Sequence, residues 1–201
     1  MMPEVQALIA ELDSTLSKAS SPKHLAILRS VTELFLNGAE HYSSEQVALF
    51  DDVFGRLIED IAPAELIKLS ASLAPVGNAP AKTVGCLALH ADIAVAGPVL
   101  GKSNVLAEAT LVEVAKGKPH SHLSAIAGRS KISEPVTDVL VDRGSPEIAR
   151  KVLDNQDARL SELGFVKLLN RAAGDKALAA AIANRPDFPA ELQPFLKLAM
   201  G

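Results

Sequence analysis

Apolar residues recur at steps of three and four along most of this chain, the spacing that places them on one face of an α-helix. The first three such stretches are long. The second and third begin at Ser21-Pro22 and at Ser44, residue types that favour a helix N-terminus. We therefore predict an N-terminal helical subdomain over residues 1–61. The apolar positions of its three helices are Val5, Leu8, Ile9, Leu12 and Leu16; Leu25, Leu28, Val31, Leu34 and Phe35; and Val47, Phe50, Val53, Phe54, Leu57, Ile58 and Ile61.

The second stretch closes with Asn37-Gly38. Helices commonly end at a glycine in the left-handed conformation, because glycine adopts a positive φ without a steric penalty. We therefore predict a left-handed cap at Gly38.

From Pro63 onwards the helical stretches are shorter, and one sequence motif repeats about every 27 residues. Its clearest copies are residues 126–134 and 182–190, and looser copies occupy 99–105 and 152–158. Each unit contains a first and a second helix of about ten residues. The predicted first helices begin near Ala64, Asp92, Pro119, Pro146 and Asp175, and the second near Ala79, Ala107, Ser133, Ser161 and Pro189.

A fixed period in this range is typical of stacked supersecondary units. Tetratricopeptide and ankyrin units run to about 33 or 34 residues, and HEAT and armadillo units to about 40 or more. A period of about 27 favours a compact relative of the HEAT repeat. The fold prediction is thus all-α, with the subdomain over 1–61 followed by a right-handed α-solenoid of about five HEAT-like helix pairs over 62–201.

Composition narrows the functional classes. The chain is 48% hydrophobic and 3% aromatic, and its net charge is −4 without a basic stripe, which disfavours a nucleic-acid partner. Cys86 is the one cysteine, so neither an internal disulfide nor a thiolate zinc site can form. No uncharged run is long enough to span a bilayer, and the N-terminus lacks a basic signal region. We therefore expect a cytoplasmic protein without a membrane partner.

Several segments resemble an uncharacterised family of helical proteins from alphaproteobacteria, a domain of unknown function. The resemblance implies a helical fold and supplies no catalytic residues. It lies in Val95-Ala-Gly-Pro-Val-Leu100, Leu111-Val-Glu-Val-Ala115, Ser124-Ala-Ile-Ala127 and Ile132-Ser-Glu-Pro-Val-Thr-Asp-Val-Leu-Val-Asp-Arg-Gly144, and also in Arg29-Ser-Val-Thr-Glu-Leu-Phe-Leu36 and Glu45-Gln-Val-Ala-Leu-Phe-Asp51.

Four polar residues occupy matching positions where first helices end: Lys102, Arg129, Asn155 and Arg185. Equivalent positions form a ladder along one edge of a stack. A basic ladder could bind phosphates or acidic side chains. The favoured interpretation is structural, with these side chains bound to the last carbonyls of their own helices and complementing the helix dipole.

Acidic residues recur on two consecutive second helices. In HEAT-like stacks the second helices usually line the concave surface, where an acidic face could attract a basic segment of a partner. The alternative is an ordinary solvated helix face. The candidate partner-binding residues are Glu108, Glu113, Glu134, Asp138 and Asp142.

The remaining reactive side chains give weak signals. His120 and His122 lie two residues apart, so on a helix they point to different faces, whereas a helical metal pair needs a spacing of three or four. Cys86 lies in an apolar run and is predicted to be a small core residue. We assign no catalytic, cofactor-binding or metal-binding residue, and expect no cofactor.

The pattern as a whole favours a non-enzymatic scaffold that binds a protein partner. One alternative is a signalling adaptor or phosphotransfer protein, for which His24 is the candidate phosphoryl acceptor. Another is a HEAT-like nucleic-acid-binding protein, although few aromatic residues are available for base stacking. The N-terminal helices could also form a homodimer through an exposed part of the Phe50, Phe54 and Leu57 stripe.

Overall fold

A computed structural model describes residues 21–200 of the chain, without the side chains of Ser21, Pro22 and Asp60. The first predicted helix, with its apolar residues from Val5 to Leu16, lies outside the described residues. Residues 21–200 contain twelve α-helices and no β-strand, so the all-α prediction is confirmed for this part of the chain. The helices are α1 (Ser21–Gly38), α2 (Ser44–Leu57), α3 (Pro63–Leu73), α4 (Ala81–Ala88), α5 (Ile93–Lys102), α6 (Glu108–Gly117), α7 (His120–Ala127), α8 (Glu134–Arg143), α9 (Pro146–Asp154), α10 (Glu162–Arg171), α11 (Lys176–Ala183) and α12 (Gln193–Met200).

The short helices begin close to where the sequence predicts them. All five first helices start within one residue of the predicted position, and the second helices within two residues, apart from the last. There a 3-10 turn, Ala190–Leu192, precedes α12. Local start signals explain the agreement: Pro63 and Pro146 occupy the first helical turn, and the Ser161 hydroxyl accepts a hydrogen bond from the Gly164 amide.

The end of α1 differs from the prediction. Gly38 has a φ of −117°, so the predicted left-handed cap is wrong. The chain instead continues directly into the 3-10 turn Ala39–His41, and the ring of Tyr42 occupies the space that a Cβ at position 38 would need. Among the described residues, only Gly174, after α10, has a positive φ. A larger residue at position 38 would therefore require the Tyr42 ring to move.

The chain forms two compact units. The described part of the first comprises residues 21–99 and 103–106, and that of the second comprises residues 100–102 and 107–200. In the first unit, α1 packs against α2 and α3, and α4 packs against α2 and α3. The core includes Phe35 and Phe54, both fully buried, with their ring centroids 6.1 Å apart. The predicted division after residue 61 stays a prediction.

The homodimer hypothesis requires that Phe50, Phe54 and Leu57 on α2 form an exposed apolar stripe. Phe54 and Leu57 are 0% and 1% exposed, and Phe50 is half-buried between the rings of Phe35 and Tyr42. These side chains therefore serve the core of the first unit and do not form an exposed seam. A homodimer through the N-terminal helices would need other residues.

The second unit consists of two layers of short helices. The first-helix layer contains α7, α9 and α11, and the second-helix layer contains α6, α8, α10 and α12. Within each layer successive helices contact one another, and the layers contact each other through neighbouring helices in the chain. Because helices of eight to ten residues are marginal on their own, this packing must supply most of their stability. The buried side chains between the helices include Leu123, Ile126, Leu140, Leu153, Phe165 and Leu168.

Candidate interaction surface

Three of the four predicted ladder residues form a chain of hydrogen bonds along the first-helix layer. The Arg129 Nη1 donates to the Leu100 carbonyl at 2.7 Å, and the Asn155 Nδ2 donates to the Arg129 carbonyl at 2.7 Å. The Arg185 Nη1 then donates to the Asn155 carbonyl at 2.5 Å. Each acceptor belongs to the preceding repeat, 26 to 30 residues earlier, and not to the donor's own helix. Lys102 is exposed at the end of α5 and takes no part in this chain.

Arg185 is the most buried member of the ladder, at 4% exposure. Its Nε and Nη2 bind both carboxylate oxygens of Asp187 at 2.7 Å, and its Nη2 also donates to the Ala158 carbonyl at 2.7 Å. The bidentate ion pair balances the buried charge, and the planar guanidinium reaches two carbonyls of the previous repeat at once. Burial also lowers the pKa of Arg129 from its ordinary value.

A second ladder, which the sequence reasoning missed, joins the ends of the second helices. The Arg143 Nη1 donates to the Ala115 carbonyl, and the Arg171 Nη2 donates to the Gly144 carbonyl at 2.8 Å. A second bond runs from the Arg171 Nη1 to the Val141 carbonyl. The sequence signal was an arginine in the last turn of α8 and again 28 residues later in α10. Each layer therefore has its own set of polar links between repeats.

The predicted acidic residues lie on only two helices, α6 and α8. Asp138 accepts a hydrogen bond from the Ser161 Oγ at 2.6 Å, and Asp142 pairs with the Lys167 Nζ at 2.7 Å. The hydrogen bond from Lys167 lowers the pKa of Asp142. Both carboxylates therefore link α8 to α10. The remaining three residues, Glu108, Glu113 and Glu134, are exposed.

The second unit is not acidic as a whole. Its residues 100–102 and 107–200 include 14 lysines and arginines against 12 aspartates and glutamates. Four of those arginines bind backbone carbonyls in the two ladders, so they contribute less positive charge to the outer surface. On α10, the acidic residue Glu162 and the apolar residue Leu163 are neighbours in the sequence, and both are exposed.

Large apolar side chains are exposed on two contacting helices of the second-helix layer. Leu163 and Val166 on α10 are 59% and 37% exposed, and Phe195 and Leu198 on α12 are 58% and 79% exposed. We call these four residues the apolar surface. The sequence signal is that Leu163 and Val166 on α10, and Phe195 and Leu198 on α12, are apolar residues in addition to those on the buried face of each helix.

The other candidate residues do not form a site in the part of the chain that the structure describes. His122 is buried with its Nδ1 3.3 Å from the Ser121 Oγ, while His120 is exposed. His24 is half-buried on α1. Over residues 21–200, no group of three His, Cys, Asp or Glu side chains could hold a metal ion. Cys86 is exposed, so the prediction of a core cysteine is wrong: it lies on the outer side of α4, whose buried face is Thr83, Val84, Leu87 and Ala88.

No helix between residues 21 and 200 is both long enough and apolar enough to cross a membrane.

Comparison with known proteins identifies a family and leaves its chemistry open. The chain matches no curated protein and no solved structure. Residues 95–195 match a family described as an uncharacterised protein conserved in bacteria, DUF2336. The match covers half of the chain, including α6 to α11 and both arginine ladders. The resemblance noted from the sequence to an uncharacterised family of helical proteins is thereby supported, and the chain belongs to the bacterial family DUF2336.

Proposed function

We propose that this chain is a non-enzymatic scaffold that binds a protein partner through the second-helix layer of its second unit. The helix pairs of residues 107–200 are taken as HEAT-like repeats, in which each pair contacts mainly its neighbours. The observation that carries the proposal is the apolar surface, Leu163, Val166, Phe195 and Leu198, on two contacting helices. Large apolar side chains that stay exposed on two contacting helices favour an interaction site on a protein surface.

The surrounding contacts support a prearranged surface. Asp138 and Asp142 tie α8 to α10, and Arg171 ties α10 to the end of α8. Helices held by several polar links lose little conformational entropy when a partner binds, which favours affinity. The exposed Glu113, Glu134 and Glu162 add negative charge to the same layer.

The chemistry of this layer favours an amphipathic helix with basic flanking residues as the partner. Its apolar face would cover the apolar surface, and its lysines or arginines would meet the exposed glutamates. Asp138 and Asp142 already have partners within the chain. The acidic face proposed to bind the partner is therefore reduced to the exposed glutamates. Apolar contacts would supply most of the affinity, and charge would mainly affect the rate of association.

A test compares three variants in cross-linking capture from cells, with quantitative mass spectrometry. Leu163→Ser with Leu198→Ser removes two apolar anchors, and Glu113→Lys with Glu134→Lys reverses the free charges. Leu34→Ser is the matched control, because Leu34 is also 59% exposed but lies on α1 of the first unit. Circular dichroism checks that helicity is unchanged.

We expect the apolar double variant to lose the captured partner, the charge variant to weaken capture in a salt-dependent way, and the control to match the wild type. Undiminished capture by the folded apolar double variant would contradict the proposal. Equal loss in the Leu34→Ser control would do the same, since the effect would then not be specific to the second unit.

A further inference from the structure

One edge of the second unit, where the second helices end and the next first helices begin, carries an excess of positive charge. This edge comprises residues 114–123, 140–149 and 168–179. It contains five lysines and arginines against three aspartates and glutamates. The turns at the opposite edge comprise residues 124–137, 151–165 and 180–196 and contain five against six. Charge is therefore unevenly distributed over the second unit, and we call its positive side the basic edge.

Arg143 is anchored in the basic edge, against the turn between α6 and α7. Its Nη1 donates to the Ala115 carbonyl and, at 3.4 Å, to the Lys118 carbonyl. Its Nε and Nη2 bind no other group among residues 21–200, and the side chain is exposed. Arg185 uses the same two atoms, Nε and Nη2, to bind both carboxylate oxygens of Asp187. The anchored guanidinium of Arg143 therefore presents to solvent the pair of donors that fits a carboxylate.

Two lysines add positive charge beside Arg143. Lys116 is exposed in the last turn of α6, and Lys118 is half-buried in the turn that follows. Among the described residues, neither lysine nor Arg143 forms an ion pair with a carboxylate. Asp142, next to Arg143 in the sequence, binds Lys167 instead. We call Lys116, Lys118 and Arg143 the basic notch, because their three charges lie together without a bound carboxylate.

The rest of the basic edge restricts which kind of anion fits. Glu147 and Asp175 lie farther along it, at the start of α9 and just before α11. A hydrogen bond from the Ser145 hydroxyl lowers the pKa of Glu147, so this carboxylate is charged at neutral pH. A nucleic acid strand that followed the whole edge would meet these negative charges with its phosphates. A short acidic peptide segment needs only the notch itself.

We propose that the basic notch binds a short run of aspartate or glutamate side chains from a partner protein, with one carboxylate held on two atoms by Arg143. The notch shares no residue with the apolar surface on α10 and α12. It is therefore a second interaction surface, for a segment of the opposite charge to the one that the apolar surface takes.

The first test measures binding of a fluorescent hexaglutamate peptide to the whole chain by anisotropy at low salt, with hexaglutamine as the neutral reference peptide. Lys116→Gln with Lys118→Gln should weaken hexaglutamate binding by at least about fivefold, because two exposed charge contacts are lost. The matched control is Lys131→Gln with Arg159→Gln, which removes the same charge from two exposed residues of the opposite edge. We expect the control to stay within about twofold of the wild type, and circular dichroism to show equal helicity for all.

The second test examines Arg143 directly. In the NMR spectrum of the wild-type chain, the Arg143 Nε–H signal should shift when hexaglutamate is added, because this group would donate to the peptide carboxylate. Arg143→Lys keeps the charge but lacks the paired donors, so it should weaken binding by at least about threefold. An unmoved Nε–H signal at saturating hexaglutamate would contradict the role of Arg143.

Three results would overturn the proposal. Hexaglutamine might bind as tightly as hexaglutamate, which would exclude recognition of charge. Both double variants might lose the same affinity, so that net charge and not the notch would explain the binding. A single-stranded oligonucleotide with six phosphates might bind more tightly than hexaglutamate and lose affinity in the Lys116 and Lys118 variant, which would make the ligand a nucleic acid. Selective loss of hexaglutamate binding in that variant alone supports the proposal.

Discussion

The side-chain amide of Asn155 donates a hydrogen bond to the backbone carbonyl of Arg129, 26 residues earlier in the chain. The Asn155 carbonyl in turn accepts a hydrogen bond from Arg185, which belongs to the next repeat. One residue therefore links three successive repeats. Because helices this short depend on packing against their neighbours, we expect these links to contribute to the stability of the second unit.

Replacement of Asn155 should measure how much its hydrogen bonds contribute to the free energy of unfolding. Asn155→Ala removes the donor to the Arg129 carbonyl and the acceptor for the Asp157 amide. We expect the free energy of unfolding to fall by about 1–2 kcal/mol. Urea denaturation followed by circular dichroism gives the value, and Gln156→Ala, at the exposed adjacent position, is the control. Equal stability of Asn155→Ala and the control would show that the bond contributes nothing net.

Arg185→Met should cost more, because it leaves the Asn155 and Ala158 carbonyls without their donor. We expect a loss of about 2–4 kcal/mol in denaturant unfolding. Arg185→Lys should recover only part of it, because a single ammonium cannot replace the planar fork that binds Asp187 on two atoms. The control is Arg150→Ala on the exposed side of α9. Full recovery by lysine would contradict the bidentate role.

Substitution by alanine should have opposite effects on stability at two glycines that lie at the ends of second helices. A Cβ at Gly144 would collide with the Leu140 carbonyl oxygen and the Ile148 side chain, whereas a Cβ at Gly117 meets no atom within 4 Å. Gly144→Ala should lower the free energy of unfolding by about 1–3 kcal/mol. Gly117→Ala, at the last helical residue of α6, should be neutral or stabilising by up to about 1 kcal/mol. Thermal unfolding of both variants checks this contrast, and a similar loss for each would contradict it.

In the first unit, the buried Asp51 of α2 caps the N-terminus of α4. Its carboxylate accepts hydrogen bonds from the Lys82 amide at 2.9 Å and the Thr83 amide at 2.7 Å. Asp51→Ala should therefore destabilise the chain by about 1.5–3 kcal/mol, because charge-assisted bonds to a helix N-terminus are lost. Asp52→Ala is the control: this neighbour is exposed and only pairs with the Lys82 side chain, a contact worth at most about 1 kcal/mol. If both variants lost the same stability in urea, the capping role would be wrong.

Glu65 should make stability depend on pH. Hydrogen bonds from Arg29 and then Lys68 lower the pKa of its carboxyl from the ordinary value of 4.5. Because the folded-state pKa is below the unfolded one, the stabilisation is present above about pH 4.5 and is lost as the pH falls through the folded value. Glu65→Gln should therefore flatten the fall in stability on acidification, and carbon NMR titration should give a pKa below 4.5. Arg29→Met should raise that pKa, and an unchanged value would contradict the pairing.

Helix positions were the part of the fold that local sequence could predict. Pro63, Pro146 and Ser161 act within their own first turn, and the three- and four-residue spacing identifies the buried face. Cys86 shows the limit of this reasoning. Its run of apolar neighbours predicted burial, but α4 has only one covered face, and which face that is depends on α2 and α3.

The candidate surface was harder to predict. Asp138 and Asp142 looked like free acidic residues because their partners, Ser161 and Lys167, lie on the next second helix, 23 and 25 residues away. The sequence placed the ladder residues Arg129 and Arg185 at helix ends, but assigned their hydrogen bonds to the wrong carbonyls. A carbonyl of the same helix and a carbonyl of the preceding repeat are indistinguishable until the repeats are stacked.

The sequence by itself determined that residues 21–200 are mainly helical, where the short helices begin, and that a unit of about 27 residues recurs. It could do so because periodicity and start signals act over a few neighbouring residues. Only the tertiary structure decided which polar side chains join the repeats and which apolar ones, Leu163 and Leu198 among them, remain exposed. Those outcomes depend on contacts between residues far apart in the chain. The physical reason is that burial and hydrogen bonding are properties of a packed pair of helices, and a single helix does not contain them.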